Sequence, residues 1–354
     1  MSWQGIAGHD EVVERFRRGL ERGRLASTFL FVGPAGVGKR AFALKLAQTL
    51  LCQASPAESM NPCGRCPACV QVLAGTHPDL DIIEKPADKA TIPLELLLGP
   101  PERRMQEGLC HNLSLRPFMG GRKVALIDDA DFLNEEGANA LLKTLEEPPP
   151  RSVLILIGTS ADKQLPTIRS RSQIIRFSPL PVDDLQSLLL SQQIVAGEEE
   201  ARRLARYSEG SLERARELAD AGLWEFRGQL LRTLSQSPVE TGRLAAALNA
   251  FLEEAGTQAA LRRARFRQVI VFAAEFYRQL LRALAGARSA DDEDLQTAVR
   301  AAIAWWRGEE ETAAAGLTRC LDALEQVDRN ANQTTLVECW LDDLGQLDRQ
   351  AIRA

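Results

Sequence analysis

Histidine is nearly missing from this chain: His9, His77 and His111 are the only three in 354 residues, which argues against a histidine-rich metal or acid–base centre. No stretch approaches the ~20 consecutive apolar residues of a membrane span. The opening MSWQGIAGHDEVVERF also lacks the apolar run of a secretion signal, so the expectation is a cytoplasmic protein without membrane attachment. A surplus of positive charge is absent too. The formal net charge of -5 speaks against a globally basic nucleic-acid-binding surface and leaves any DNA contact local or shared with partners. No lysine follows Lys163, a compositional bias with no functional weight, and neither internal repeats nor low-complexity segments occur.

What is there is the balance of a soluble globular protein, 45% hydrophobic and 26% charged, in a chain too long for one ordinary core. TFLFVG (28–33), DLDIIE (79–84), RKVALIDDAD (122–131) and SVLILIGTS (152–160) read as strands. Such continuous apolar runs suit a parallel sheet covered on both faces. Helical segments are expected at 39–51, at roughly 91–111 and at 132–146, which makes residues 1–178 an α/β, doubly wound domain. Beyond SPLPVDDL only helices follow: a small set at 182–192, 198–207 and 210–221, then long amphipathic segments such as RFRQVIVFAAEFYRQLLRAL. These divide into a small helical domain, 179–222, and an all-helical domain, 223–354.

GPAGVGKR (33–40) has the skeleton of a phosphate-binding loop between a strand and a helix. Gly33, Gly36 and Gly38 let backbone N–H groups turn inward, the helix N-terminus favours phosphate oxygens, and Lys39 would reach the outer phosphates. VALIDDAD delivers Asp128 at the end of an apolar strand, where a carboxylate holds Mg²⁺ beside the phosphates. Asp129 stands where a general base for water activation usually sits, most often as glutamate.

Four of the seven cysteines, Cys52, Cys63, Cys66 and Cys69, fall within 18 residues. At this density, without an export signal, they fit tetrahedral Zn²⁺ better than disulfides. Four sulfur ligands leave no open position, so the expected role is to staple an insertion (52–75), with unliganded cysteines as the alternative. LPTIRSRS (165–172) sets arginines on a short helix after a strand at the edge of the nucleotide domain; a solvated arginine and an arginine finger both remain open for Arg171.

Taken in order, GPAGVGK, the four-cysteine insertion, IDDAD, NALLKTLEEPP (139–149) and LPTIRSR resemble the clamp-loader AAA+ ATPases of bacterial DNA replication over about residues 1–220. The resemblance implies an AAA+ α/β domain, a helical lid (179–222) and a C-terminal collar (223–354) that joins subunits. Within the family, THPDLDIIE (76–84) and DRNANQTTLVECWLDDL (328–344), with Asn330, Asn332 and Glu338, are similar to the delta-prime subunit. The direct start at WQGIAGHDEVVERFRRGL and the stop at 354 are read the same way, against the gamma/tau motor.

Three departures from the motor's pattern touch the nucleotide site. Arg40 replaces the Ser or Thr that ligates Mg²⁺. Its guanidinium, if within ~4 Å of the metal, would be repelled by about 8 kcal/mol at an effective dielectric near 20, so it is expected to swing away. Asp129 replaces a longer glutamate, and an attacking water would be misplaced at a cost of ~10²-fold or more. In GSLERA, Glu213 takes the family's arginine position, with Arg214 one residue later and about 100° round the helix. The resemblance therefore implies a site that can hold ATP or ADP but hydrolyses it slowly or not at all. Arg171, retained in Ser170-Arg171-Ser172, is implied to be a finger for a neighbour's ATP. The expected partners are gamma/tau and delta subunits in a hetero-pentamer, and through them the sliding clamp and primed DNA. A gamma/tau-type ATPase motor remains the alternative, supported by intact Lys39 and Asp128, and a nucleotide-regulated adaptor outside replication is a third reading.

Overall fold

A computed structural model describes residues 3–119, 121–287, 292–307 and 310–353. The chain divides into two compact units, Met1–Ala215 and Arg216–Ala354. In the first unit five parallel strands form one sheet: β1 (Thr28–Val32), β2 (Leu80–Ile83), β3 (Lys123–Ile127), β4 (Ser152–Gly158) and β5 (Gln173–Arg176), in the order β2-β3-β4-β1-β5. β1, β3 and β4 are buried along their whole length, as their unbroken apolar sequences require. The pleat sorts their side chains: Phe29, Phe31, Val124, Leu126, Val153 and Ile155 enter one core, and Leu30, Val32, Ala125, Ile127, Leu154 and Leu156 enter the other.

Helices α1 (Asp10–Glu21) and α2 (Lys39–Leu51) supply the first core with Val13, Phe16, Phe42 and Leu46. After α3 (Pro67–Leu73) in the cysteine insertion come α4 (Leu94–Leu98), α5 (Leu109–Ser114), α6 (Glu135–Glu146) and α7 (Pro166–Arg171). They fill the second core with Leu97, Leu109, Leu113, Leu141 and Ile168. The α/β architecture with helices on both faces is thus as expected. Two local readings are corrected. The segment 91–111 is two short helices, because Gly99 adopts φ 83° and Pro100 and Pro101 cannot continue a helix. β5, four residues on the sheet edge with only Ile175 buried, is too short and too polar to be read from its pattern.

Helices α8 (Val182–Ser191), α9 (Glu198–Tyr207) and α10 (Leu212–Glu217) follow, and the division between units falls inside α10. The second unit is all helical: α11 (Ala221–Leu234), α12 (Thr241–Glu253), α13 (Ala259–Leu284), α14 (Glu293–Ile303), α15 (Glu310–Asp328) and α16 (Gln333–Arg353). α13 buries Phe266, Ile270, Ala273, Phe276 and Leu280 at three- and four-residue spacing, the stripe of a helix enclosed by its neighbours. Among the described residues no helix is long and apolar enough to cross a membrane.

Phe42 is the hub of the first core, fully buried with Trp3, Phe16, Phe31 and Phe177 around it at ring-centroid distances of 5.0 to 5.9 Å. Phe42→Ala is expected to cost about 3–5 kcal/mol, read as a lowered urea midpoint and lost hydrogen-exchange protection in β1, β3 and β4.

Candidate functional site

In a parallel sheet whose order reverses around one strand, the loops at the carboxyl ends open a crevice there. Here that strand is β1, between β4 and β5. The chain leaves it at Gly33 (φ 152°), where an added Cβ would stand 2.2 Å from the Phe177 carbonyl oxygen, so only glycine fits. Gly36 and Gly38 also have positive φ, and α2 begins at Lys39 with Phe42 N–H as its first helical donor, to the Gly38 carbonyl. The N–H groups of Lys39, Arg40 and Ala41 therefore have no intrahelical acceptor and point out of the helix start. Lys39 is buried, and its Nζ donates to the Gly33 and Pro34 carbonyls at 2.6 and 2.5 Å. Burial lowers its pKa, partly offset by Asp128, Asp131 and Glu213.

The remaining groups converge from four other elements. His9, before α1, is buried and places Nε2 2.7 Å from the Val37 carbonyl. Asp131 accepts from Thr159 N–H (2.8 Å) and Gln164 Nε2 (3.0 Å), while Gly33 N–H donates to the Thr159 carbonyl, which ties the β3 and β4 ends to the loop. α10 packs on the loop itself: Leu212 N–H donates to the Gly36 carbonyl, and a Cβ on Gly36 would lie 2.1 Å from Ser211 Oγ and 2.7 Å from Glu213 Cβ. The structure thus brings Gly33, Gly36, Gly38, Lys39, Asp128 and Glu213 together. Arg214 does not replace the arginine that Glu213 displaces, because it turns to Glu209 at 2.7 Å.

Arg40 does not swing away, contrary to the sequence-based expectation. Its Nη1 donates to Asp128 Oδ2 at 2.9 Å and also to Glu84. Asp128 follows β3 and Glu84 follows β2; Ile83 pairs with Ile127, and Asp128 N–H donates to the Ile83 carbonyl, so the two carboxylates emerge side by side. A cation is the natural bridge between them. The Glu84 hydrogen bond, together with Asp128, outweighs burial and holds Arg40 even more firmly protonated than an ordinary arginine. The residues present do not fit a divalent ion here: the hydroxyl ligand is gone and the carboxylate that would face the metal is occupied by a guanidinium. Asp129 sits in the left-handed region (φ 54°), and burial, then Asp128, raises its pKa.

The four predicted cysteines form one cluster whose sulfurs all lie within 4.8 Å of one another. Cys52 to Cys63 is 3.7 Å and Cys63 to Cys69 is 3.9 Å, against about 3.8 Å for the edge of a tetrahedron with 2.3 Å metal–sulfur bonds. Backbone N–H groups of Cys63, Cys66 and Cys69 point at the sulfurs of Cys52, Cys63 and Cys66. Burial pushes the Cys52 thiol up, but N–H groups of Cys63, Ala54 and Ser55 outweigh it and bring it down to about 6. Burial pushes Cys69 up, above an ordinary thiol. The donor set fits a metal ion. Gln48 of α2, buried, donates to the Cys69 carbonyl at 3.2 Å, and Met60 and Val72 of the insertion enter the first core, so the cluster staples this segment to α2.

Arg171 ends α7 and belongs to neither constellation. Its Nη2 donates to Glu146 Oε1 at 2.8 Å, joining it to the end of α6, and its side chain stays 35% exposed. Several residues of these sites carry no signal singled out in the sequence, among them His9, Glu84, Asp131 and Glu146. A carboxylate directly after an apolar strand was a usable signal for Glu84, since Asp128 was found that way, but the β2–β3 register was needed to pair them.

A family model described as "DNA polymerase III, delta subunit" matches residues 8–181. The DNA polymerase III subunit delta' of Pseudomonas aeruginosa is 37% identical over 216 residues, 59% of this chain and 61% of that protein. The subunit tau of Escherichia coli is 33% identical over 229 residues, 64% of this chain and 33% of that protein. The subunit delta' of Escherichia coli is 31% identical over 239 residues, 67% of this chain and 68% of that protein. The chain therefore spans less than two thirds of the first two of these relatives.

Asp129→Asn tests the charge balance of the site. A carboxyl whose folded pKa lies above its unfolded value destabilises the fold once ionised, so the amide, which also tolerates the left-handed conformation, is expected to stabilise by up to about 1 kcal/mol after solvent screening. The gain should be full above the folded pKa and vanish as pH falls through the carboxylate range, as read from thermal melts of both proteins across that range.

Proposed function

Because the chain belongs to the delta-prime subunit family of the DNA polymerase III clamp loader, we propose that it is a stator: it completes a neighbouring subunit's ATP site while its own site hydrolyses nucleotide slowly or not at all. The observation that carries this reading is the Arg40 bridge to Asp128, which occupies the carboxylate a hydrolysing site reserves for its metal. Asp129 in place of glutamate and Glu213 against Gly36 act in the same direction. Arg171, half-exposed at the end of a surface helix and steadied by Glu146, suits a finger offered in trans; its planar, permanently charged fork stabilises charge that develops on a transferring phosphoryl group.

In this reading 1–178 is the AAA+ domain, 179–222 its lid and 223–354 the collar, through which the chain joins gamma/tau and delta subunits in a cytoplasmic hetero-pentamer. The assembly opens the sliding clamp and places it on primed DNA. The four cysteines hold a structural zinc ion, which draws all four thiols to thiolates and closes the insertion. A gamma/tau-type motor is the second reading, favoured by intact Lys39 and Asp128 and by the similarity to the subunit tau of Escherichia coli.

Turnover measurements separate the two. The isolated chain is expected to release phosphate from ATP at a negligible rate with clamp and primed DNA present; rapid turnover abolished by Lys39→Ala would establish the motor instead. In a complex reconstituted with the other subunits, Arg171→Ala is expected to leave assembly intact and lower ATP hydrolysis by roughly 10-fold or more, the scale of a finger's contribution to one site. Elemental analysis should return about one zinc per chain, lost in Cys66→Ser together with part of the thermal stability.

A further inference from the structure

The nucleotide cradle carries cationic side chains at two consecutive positions, and they are used differently. Lys39 is buried and folded onto the loop's own carbonyls. Arg40, on the first turn of α2, reaches across to the ends of β2 and β3 and gathers Glu84 and Asp128 on a single nitrogen, Nη1. Asp128 is 17% exposed and Arg40 48%, so the bridge is set into the wall of the crevice with one edge open to solvent. Nε and Nη2 of Arg40 carry no hydrogen bond among the described residues. They are donors left over on the guanidinium.

A divalent ion in such a site joins a strand-end carboxylate to the phosphate oxygens and balances their charge. A guanidinium fixed on that carboxylate can do both with nitrogen donors: one edge on Asp128 and Glu84, the other free for a phosphate oxygen. The disagreement between this chain and a metal-dependent site is therefore a substitution of one cation for another. We propose that Arg40 stands in for the divalent cation of the cradle, so that the site takes a nucleoside di- or triphosphate without a metal ion and refuses the metal itself. The second half rests on the reading that the cradle holds nucleotide; the first half does not.

The test uses the full chain with its cysteine site loaded, in buffer freed of divalent ions by chelating resin, so that no soluble chelator competes for the cysteine-bound metal. ATP and ADP are titrated by calorimetry with and without added MgCl₂. The wild type is expected to bind each with the same affinity, within about twofold, in both buffers, whereas Arg40→Thr, which restores a hydroxyl ligand, is expected to bind about tenfold or more tightly with MgCl₂. A wild-type affinity that rises about tenfold with MgCl₂ overturns the proposal. Mn²⁺ alone, followed by its paramagnetic resonance signal, addresses the cation place without nucleotide. Wild type is expected to bind none there, Arg40→Thr to bind it, and Arg40→Thr/Asp128→Asn to lose it. Mn²⁺ bound by the wild type and removed by Asp128→Asn, or Mn²⁺ ignored by a folded Arg40→Thr, overturns the substitution. If neither protein binds ATP or ADP, the nucleotide reading falls with the second half, and the Mn²⁺ result still decides the first.

Discussion

β1 has no freedom. It is hydrogen-bonded to β4 on one edge and β5 on the other, and its two faces are buried in separate cores, so the chain can leave only through its carboxyl end. The loop at 33–38, the acidic turn after β3 and Thr159 after β4 are consequently forced to one rim of the sheet. Once there they bond to each other: Gly33 to Thr159, Thr159 to Asp131, and Gly36 to Leu212 of α10. The loops of this cradle hydrogen-bond to one another, and its glycines are required by close approach as much as by conformation.

Charge is the second constraint on that rim. Glu84, Asp128, Asp131 and Glu213 crowd Lys39 and Arg40, and acidic groups this close need a cation to coexist. Arg40 meets the need with a bridge of two unequal arms. Its contact with Glu84 is between side chains about half exposed, where an ion pair contributes roughly 0–1 kcal/mol. The contact with the mostly buried Asp128 is the stronger arm, because solvent screens it less. Arg171 stands outside this cluster of charge, since its partner Glu146 lies on α6 and belongs to a separate pair.

The cysteine cluster works at a distance from this chemistry. Its sulfurs close a short segment whose Met60 and Val72 enter the same core as Phe42, and Gln48 carries the tie into α2. The helix that begins at Lys39 is thus secured near its far end by the cysteine segment, which is a structural reason for so many thiols in a chain with a large core of its own.

The sequence by itself determined the parallel sheet, the two faces of its strands, the phosphate-loop skeleton and the cysteine cluster. Each is written in local spacing: unbroken apolar runs, glycines around Lys39, four cysteines within 18 residues. Only the tertiary structure decided what Arg40 does. Whether a long, charged side chain swings into solvent or stays depends on which carboxylates stand within its reach, and Glu84 and Asp128 are 44 and 88 residues away, brought together by the β2–β3 register. The same holds for His9 beneath Val37, Glu146 beside Arg171, and the turning of Arg214 toward Glu209. Spacing fixes which residues can do chemistry, while strand register and helix packing choose the partner that each charge meets.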